Sequence, residues 1–411
     1  MIYRDMCGEE VSALGFGTMR LPVGAGGPAD IDDARAMAIF DTLYEGGVTY
    51  VDTAYSYHNG GSELFVGRAL PRYDRSKLQG ATKMPGHEVR PDFNVEAIFE
   101  HQLERTGAGY FDFYLMHNVY ESSIAHYMDP EAGILEYLVE QKRRGRVRHL
   151  GFSCHGQLDT LTQFVEYCDA KAPGEVEFVQ LQINYVDWTL QYARAKYNLV
   201  RSAGLDVVVM EPLRGGKLAR LEALPKDTVG ELERIMAASG AKTAAEVSFR
   251  WLLGLEGIKV NLSGMSTREQ AEDNLRIFAG EAAGGPAPYA EGTEVREALD
   301  ALGIKFADMQ PCTGCRYCVR ECPLSLDIPR LLKLRDDGRF NAAMYISMQA
   351  DSLPEEGRPG NCLGCGACAA ACPQGIRIPE LIAELNDMLA KLPHWADISA
   401  ARRVDVSPPK R

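Results

Sequence analysis

Residues 39–52 read Ile-Phe-Asp-Thr-Leu-Tyr-Glu-Gly-Gly-Val-Thr-Tyr-Val-Asp. Ile39, Phe40 and Leu43 recur at helical spacing, Gly46 closes the stretch, and the apolar, β-branched run Val48–Asp52 follows at once. The spacing predicts a helix feeding a buried strand, and the same alternation recurs on both sides. Strand-like runs occupy Ala13–Met19, Leu78–Lys83, Phe111–His117, Val147–Ser153, Phe178–Gln182, Leu205–Met210 and Ile258–Gly264. Helical segments such as Val95, Ile98, Phe99 and Leu103 lie between them. With Val48–Asp52 the runs number eight across residues 10–280. A strand followed by a helix eight times over is what an α/β (β/α)8 TIM barrel requires. A doubly wound open sheet gives a similar pattern and is the alternative.

The bulk numbers agree with a soluble protein. The chain has 411 residues, 46% hydrophobic and 25% charged, which is ample apolar material for more than one core. Its formal net charge of -13 argues against a nucleic-acid or anionic-membrane partner. Met1–Cys7 carries no apolar signal core, and no apolar run approaches the roughly 20 residues that span a bilayer. The expectation is a cytoplasmic protein.

The barrel is expected over residues 1–280. Gly280–Tyr289 is rich in Gly, Ala and Pro, and a short helix near Thr293–Leu302 follows, so 281–307 reads as linker and helix. A smaller, mostly helical domain is expected over 308–390, then a tail over 391–411.

Cysteine marks that second domain. Of eleven cysteines, only Cys7, Cys154 and Cys168 precede residue 300. Cys312, Cys315, Cys318, Cys322, Pro323, Ile328, Pro329 and Leu331 recur fifty residues later as Cys362, Cys365, Cys368, Cys372, Pro373, Ile378, Pro379 and Leu381. Each copy reads C-x2-C-x2-C-x3-C-P. In a reducing compartment such crowding points to metal rather than disulfides. Thiolates are soft ligands for iron–sulfur clusters, and this spacing lets one loop offer three sulfurs to a cubane. Structural zinc is the alternative, but it closes at four ligands and leaves a nearby third cysteine unexplained. The region resembles bacterial two-cluster ferredoxins, except that 39 residues separate Cys322 from Cys362, as in the helical ferredoxin modules of larger redox enzymes. That resemblance implies two [4Fe–4S] clusters with crossed ligation, because there the fourth cysteine of each run binds the other cluster. Cys312, Cys315 and Cys318 would share one cluster with Cys372, and Cys362, Cys365 and Cys368 the other with Cys322.

In barrels of this kind chemistry sits at the carboxyl ends of the strands. The second, third and fourth runs end on Asp52, Lys83 and His117, and Tyr57 follows in the loop after Asp52. Singly, each has a bland reading as a cap, a solvated lysine, a structural histidine or one tyrosine among 18. Four at one rim are harder to set aside.

Asp52-Thr-Ala-Tyr-Ser-Tyr57 with Gly61-Ser-Glu63, Ala81-Thr-Lys83, Asp112-Phe-Tyr-Leu-Met-His117 and Leu14-Gly-Phe-Gly-Thr18 together resemble the aldo-keto reductases, in family order and spacing. With the cysteine tail, the whole chain resembles the bacterial aldo-keto reductases that carry a ferredoxin domain. The resemblance implies an oxidoreductase in which Tyr57 is the general acid, Lys83 lowers its pKa, Asp52 orients Lys83, and His117 polarises a carbonyl. It also implies an NADPH or NADH cofactor held by Ser153, Gln182, Met210, Gly264, Arg268 and Asn274. Cys154 replaces the usual Asn and reads as an inert core thiol; His155 beside it is a secondary candidate. Met210 stands where an aromatic ring usually stacks. Gln270 and Gly264 replace two family cations, so the lean toward NADPH over NADH is slight.

The expected substrate is a small carbonyl compound, read by the loops Asn118–Pro130 and Arg214–Ala241; Tyr120, His126 and Tyr127 suggest a partly aromatic pocket. Clusters pass single electrons whereas nicotinamide passes hydride, so a bound flavin or a redox partner protein, ferredoxin or flavoprotein, is the alternative route. A further reading makes the cluster domain an electron-delivery module and the barrel a binding scaffold, which has no need of Tyr57 and Lys83 together.

Overall fold

The computed structural model describes residues 1–88, 92–224, 226–307, 312, 314–339 and 343–402. All eight expected strands form. They are β3 (Leu14–Gly17), β4 (Tyr50–Asp52), β5 (Gln79–Met84), β6 (Phe111–Val119), β7 (Val147–Cys154), β8 (Val176–Gln182), β9 (Asp206–Met210) and β10 (Ile258–Ser263). Each pairs in parallel with its chain neighbours, and β10 pairs with β3 to close the barrel, which removes the open-sheet alternative. Closure brings chains together tightly at Gly15: a Cβ there would lie 2.6 Å from Val260 Cγ1 inside the barrel.

Two strands were not foreseen. β1 (Tyr3–Met6) and β2 (Glu9–Ser12) form an antiparallel hairpin ahead of the barrel. Its two-residue turn is Cys7-Gly8, both at positive φ (55° and 86°), the conformation that suits the twist of paired strands. Met6 and Val11 pack with Tyr50, Phe113, Phe178 and Val208, so the hairpin plugs the amino-terminal end of the barrel. The opposite end, where Asp52, Lys83, His117 and Met210 emerge, is the functional rim.

Helix Asp33–Glu45 shows how local sequence sets the β-α units. Asp32 caps it by accepting from the Arg35 N–H, Ala36, Ile39, Phe40 and Leu43 face the core, and Gly47 turns the chain at φ 85° into β4. Beyond β10, helix Glu294–Ala307 packs on the barrel through Leu299, Leu302 and Phe306, each side chain worth roughly 1.5–3 kcal/mol of burial. Arg296 lies over the Trp251 ring at 4.3 Å, and the Trp251 Nε1–H donates to Asp300 at 2.7 Å.

The C-terminal region has its own core of Leu326, Ile328, Leu331, Ile346, Ile378, Ile382 and Leu385. Its fifty-residue repeat extends to the backbone. Gly314, Arg316 and Ser325 have positive φ, and so do Gly364, Gly366 and Gly375. Helix Ile328–Gly338 packs against its counterpart Ile378–Leu389, and the added helix Ala343–Asp351 fills the insertion. This domain lies on the functional rim. Lys333, ion-paired with Asp337 at 2.9 Å, donates to the Leu190 carbonyl at 3.2 Å, and Gln349 donates to Glu121 at 3.1 Å.

Candidate active site and cysteine centres

Parallel pairing aligns Gly17 with Asp52 and Asp52 with Ala81, so the ends of β4 and β5 lie side by side. Lys83 Nζ is fully buried there. It donates to Asp52 Oδ1 at 2.6 Å and to the Thr53 carbonyl at 2.7 Å, and lies 3.4 Å from the Tyr57 hydroxyl. The Tyr57 and His117 rings meet edge to face, 5.8 Å between centroids. All four expected side chains therefore converge.

Glu63 holds the lysine strand from behind. Its carboxylate accepts from Thr82 and Gln102 at 2.7 Å and pairs with Arg105 at 3.0 Å, while Gln102 also donates to the Lys83 carbonyl. Ser62 shares hydrogen bonds with Thr18 (2.7 Å) and Thr53 (2.8 Å), tying the first and second barrel strands at the same level.

Burial raises the Tyr57 phenol above its ordinary value despite the Lys83 ammonium, so Tyr57 stays protonated at neutral pH. This differs from the expectation of a lowered value: desolvation of the phenolate outweighs one neighbouring cation that Asp52 already partly neutralises. Burial also opposes the charge on Lys83, but Asp52 and Tyr57 outweigh it and raise its pKa, keeping it cationic. His117 goes the other way. Burial, reinforced by His87 and Lys83, drops it well below its ordinary value, so the ring is neutral.

Two cavities meet at Tyr57. The larger, about 420 Å³, is a cleft that includes Met19, Arg20, Asp52, Tyr57, Gln180, Met210, Gly264, Ser266, Gln270 and Asn274 in its wall. Of the expected nucleotide residues, Met210, Gly264 and Asn274 line it. Ser153, Gln182 and Arg268 do not. The Ser153 hydroxyl accepts from the Asn118 N–H at 2.7 Å, Gln182 donates to Asp187 at 2.9 Å, and Arg268 lies outside, paired with Glu272 at 2.9 Å. Gln180 was not foreseen. It sits two residues before Gln182 on the same strand face, and its buried Oε1 has no hydrogen-bond partner among the described residues. Arg20 and Arg220 also line the cleft, from loops whose sequence carries no signal for it.

The smaller cavity, about 80 Å³, lies between the barrel rim and the C-terminal domain. Its floor is Tyr57, His87, His117 and His155; its roof is Met344, Tyr345 and Met348 of helix Ala343–Asp351 with Trp395, Ser399 and Arg402. Burial lowers His87 to about 3 and His155 to about 4, so both rings are neutral. The loop aromatics expected to line a pocket do other work. Tyr127 donates to the Met84 carbonyl at 3.0 Å, His126 meets the Gly86 carbonyl at 2.7 Å, and Tyr120 packs into the C-terminal core. Cys154 is buried, its thiol pushed up to about 12, as suits an inert core residue.

In the C-terminal domain, one cavity is lined by Cys312, Cys315, Cys318 and Cys372, and a second by Cys322, Cys362, Cys365 and Cys368. Each set takes three thiols from one run and the fourth from the other. Apolar side chains surround them, Leu332 and Ile376 in the first, Leu326 and Ile382 in the second. Four convergent thiols in an apolar wall fit a thiolate-ligated cluster.

Comparison with known proteins agrees with both halves. The Aldo/keto reductase family matches residues 13–282 and the 4Fe-4S dicluster domain matches residues 311–376. A protein named "Probable aldo-keto reductase 1" from Glycine max is 27% identical over 351 residues, covering 74% of this chain and 94% of its own. An "NADH-specific methylglyoxal reductase" from Escherichia coli K12 is 24% identical, covering 64% of this chain and 89% of its own. Among solved structures, the holo form of aldo-keto reductase AKR11C1 from Bacillus halodurans superposes with a TM-score of 0.57 at 24% identity, covering 74% of this chain and 96% of that one.

Proposed function

The chain belongs to the aldo/keto reductase family and is an oxidoreductase, and from that premise we propose that it reduces a small carbonyl compound at Tyr57, with two [4Fe–4S] clusters on the same chain as electron carriers. The observation that carries the reading is the buried Asp52–Lys83–Tyr57 chain, 2.6 Å and 3.4 Å long in its two links, beside the neutral ring of His117.

Nicotinamide, when bound, supplies hydride to carbon. Gln180 offers its unpartnered amide oxygen to a carboxamide, Asn274 and Gly264 line the far wall, and Arg20 and Arg220 offer charge to phosphate. Tyr57 keeps its proton at neutral pH and holds it toward a carbonyl oxygen in the small cavity. Lys83, fixed by Asp52, stabilises the phenolate once that proton has left. A neutral His117 can donate one hydrogen bond to the same oxygen without bringing a second full charge. The roof covers part of this cavity, and a lower local dielectric strengthens each of these interactions. Arg268 is turned outward and paired with Glu272, so it gives no contact by which NADPH would be favoured over NADH.

The four-thiol cavities support the cluster assignment: Cys312, Cys315, Cys318 and Cys372 would hold one cluster, and Cys322, Cys362, Cys365 and Cys368 the other. Cys315 and Cys365 are exposed, so each centre has an edge open to a redox partner.

The test is Tyr57→Phe, purified without air. Carbonyl-dependent oxidation of NADH or NADPH should fall by about 100- to 10,000-fold, the range for losing a general acid. Iron content and the visible cluster spectrum should be unchanged. Full activity in Tyr57→Phe removes these four residues from the mechanism; loss of iron in it would mean the two halves are not separable.

A further inference from the structure

The small cavity contains a cation that the carbonyl chemistry does not use. Arg402, just past helix Trp395–Ala401, reaches into the wall that also holds Tyr57, His87 and His117. Its guanidinium is half-buried and touches Met344 Sδ at 2.7 Å. No carboxylate pairs with it among the described residues. Among the described residues, Glu88 is the acidic side chain in this cavity's wall. The remaining titratable neighbours are neutral or occupied: His87, His117 and His155 are held uncharged by burial, and Lys83 is bound to Asp52. Burial lowers Arg402 as well, with Tyr57 the one group opposing that shift, which places the guanidinium and the reacting phenol in one electrostatic neighbourhood.

A desolvated guanidinium without a counter-ion is costly, and an oxyanion relieves that cost with two parallel charge-assisted hydrogen bonds. The cavity is small, about 80 Å³ against the roughly 300–1,000 Å³ of ordinary ligand pockets. A substrate that fits can therefore bring little more than the carbonyl and the anion. We propose that Arg402, supplied by the cluster-bearing half of the chain, is the anion anchor of the active site, and that the substrate is a short-chain oxo acid whose carbonyl faces Tyr57 and His117 while its carboxylate meets Arg402. This inference rests on the carbonyl-reductase reading above. It makes the C-terminal domain part of substrate recognition as well as an electron carrier.

The experiment uses the full, air-free holoprotein and two readouts. Calorimetric titration with oxamate, an unreactive carbonyl carboxylate, reads the anion site without turnover. Wild type should bind it, and Tyr57→Phe, which loses only the hydrogen bond to the carbonyl oxygen, should bind it a few-fold more weakly. Arg402→Gln should bind it about 10- to 100-fold more weakly, the effect of losing a hydrogen-bonded charge, and Arg402→Lys should fall between. In turnover, pyruvate should be preferred over pyruvamide by a similar factor, through KM rather than kcat, and Arg402→Gln should erase that preference. If oxamate does not bind wild type, or binds Arg402→Gln equally well, the anchor is wrong; reduction of neutral carbonyls alone would then leave the reductase reading standing. Oxamate binding through Arg402 with no carbonyl reduced at all would keep the anchor and remove the reductase reading. Inorganic phosphate outcompeting oxamate at this site would overturn the carboxylate assignment.

Discussion

In the barrel, Asp52, Tyr57, Lys83 and His117 come from three strand ends and one loop, and a buried network through Glu63, Gln102 and Thr82 keeps them in place. In the C-terminal domain, three of each four thiols come from a single short loop, and only the fourth is a long-range contact. The first kind of site is pre-formed by packing. The second depends on the group it binds, because metal-binding free energy in such centres is also folding free energy. The two halves of one chain should therefore fail in different ways.

The largest effect tests the crossing of the cysteine runs. Cys372→Ser should empty the centre of Cys312, Cys315 and Cys318, although Cys372 belongs to the other run. Iron content should drop by about half, leaving one paramagnetic signal after reduction. Cys315→Ser should remove that same centre, and the double variant should lose no more. Cys372→Ser combined with Cys365→Ser should lose both. If Cys372→Ser and Cys365→Ser extinguish one common signal, ligation is uncrossed, and the pseudo-symmetric halves are not stapled to each other.

Lys83→Met tests the pre-formed side. It leaves the Asp52 carboxylate buried without its counter-ion, which should cost about 3–5 kcal/mol in denaturant unfolding of the barrel and abolish carbonyl reduction. Iron should stay bound. Arg68→Ala provides the control. The Arg68–Asp33 pair is just as short, at 2.7 Å, but its side chains are 49% and 46% exposed, so its loss should cost less than about 1 kcal/mol. Similar costs for both variants would mean that burial does not distinguish this site.

The comparison also separates what the chain discloses from what it does not. Strand ends announce themselves by hydrophobic period, so β3 to β10 and the residues at their tips were legible, and a four-cysteine run repeated at fifty residues is hard to misread. The hairpin of β1 and β2 was missed because its strands are short and charged and its only signal is Cys7-Gly8. Gln180 and Gln182 lie on one face of one strand, and sequence does not say which amide reaches the cleft and which is taken up by Asp187. The roof left no trace either. Tyr345 and Met348 lie in helix Ala343–Asp351, Trp395 opens helix Trp395–Ala401 and Arg402 follows it, in a stretch expected to be tail, and their approach to the rim is a consequence of domain docking. Loop aromatics were over-read for the same reason: Tyr120 and Tyr127 satisfy packing and backbone carbonyls.

Acid should reveal the pre-formed site through its histidines. His87 and His155 have folded pKa values of about 3 and about 4, against roughly 6.5 in the unfolded chain. Below about 6.5 the unfolded chain binds protons that the folded chain refuses, so stability is complete above that value and declines as pH falls toward the folded ones. Each ring should remove roughly 2 kcal/mol between pH 6.5 and 5, measured by urea unfolding. His117 is lowered in the same way, so His87→Gln should flatten the slope due to these three rings by about a third. An unchanged slope would place the acid-sensitive group elsewhere.

The smallest effect concerns the seam between the halves. Gln349, in helix Ala343–Asp351, donates to Glu121 at 3.1 Å and to the His155 carbonyl at 3.4 Å, joining the roof to the rim. Gln349→Ala removes both bonds and should cost about 1 kcal/mol. That is too little to unfold either half, but it should appear locally as faster amide exchange in Ala343–Asp351, with the barrel strands unaffected. Because the roof covers the small cavity while Asp52, Tyr57, Lys83 and His117 are held from below, KM for the carbonyl compound should rise a few-fold and kcat should hold. A fall in kcat with KM unchanged would mean that the roof helps to place Tyr57, and the division between a pre-formed site and its docked cover would have to be redrawn.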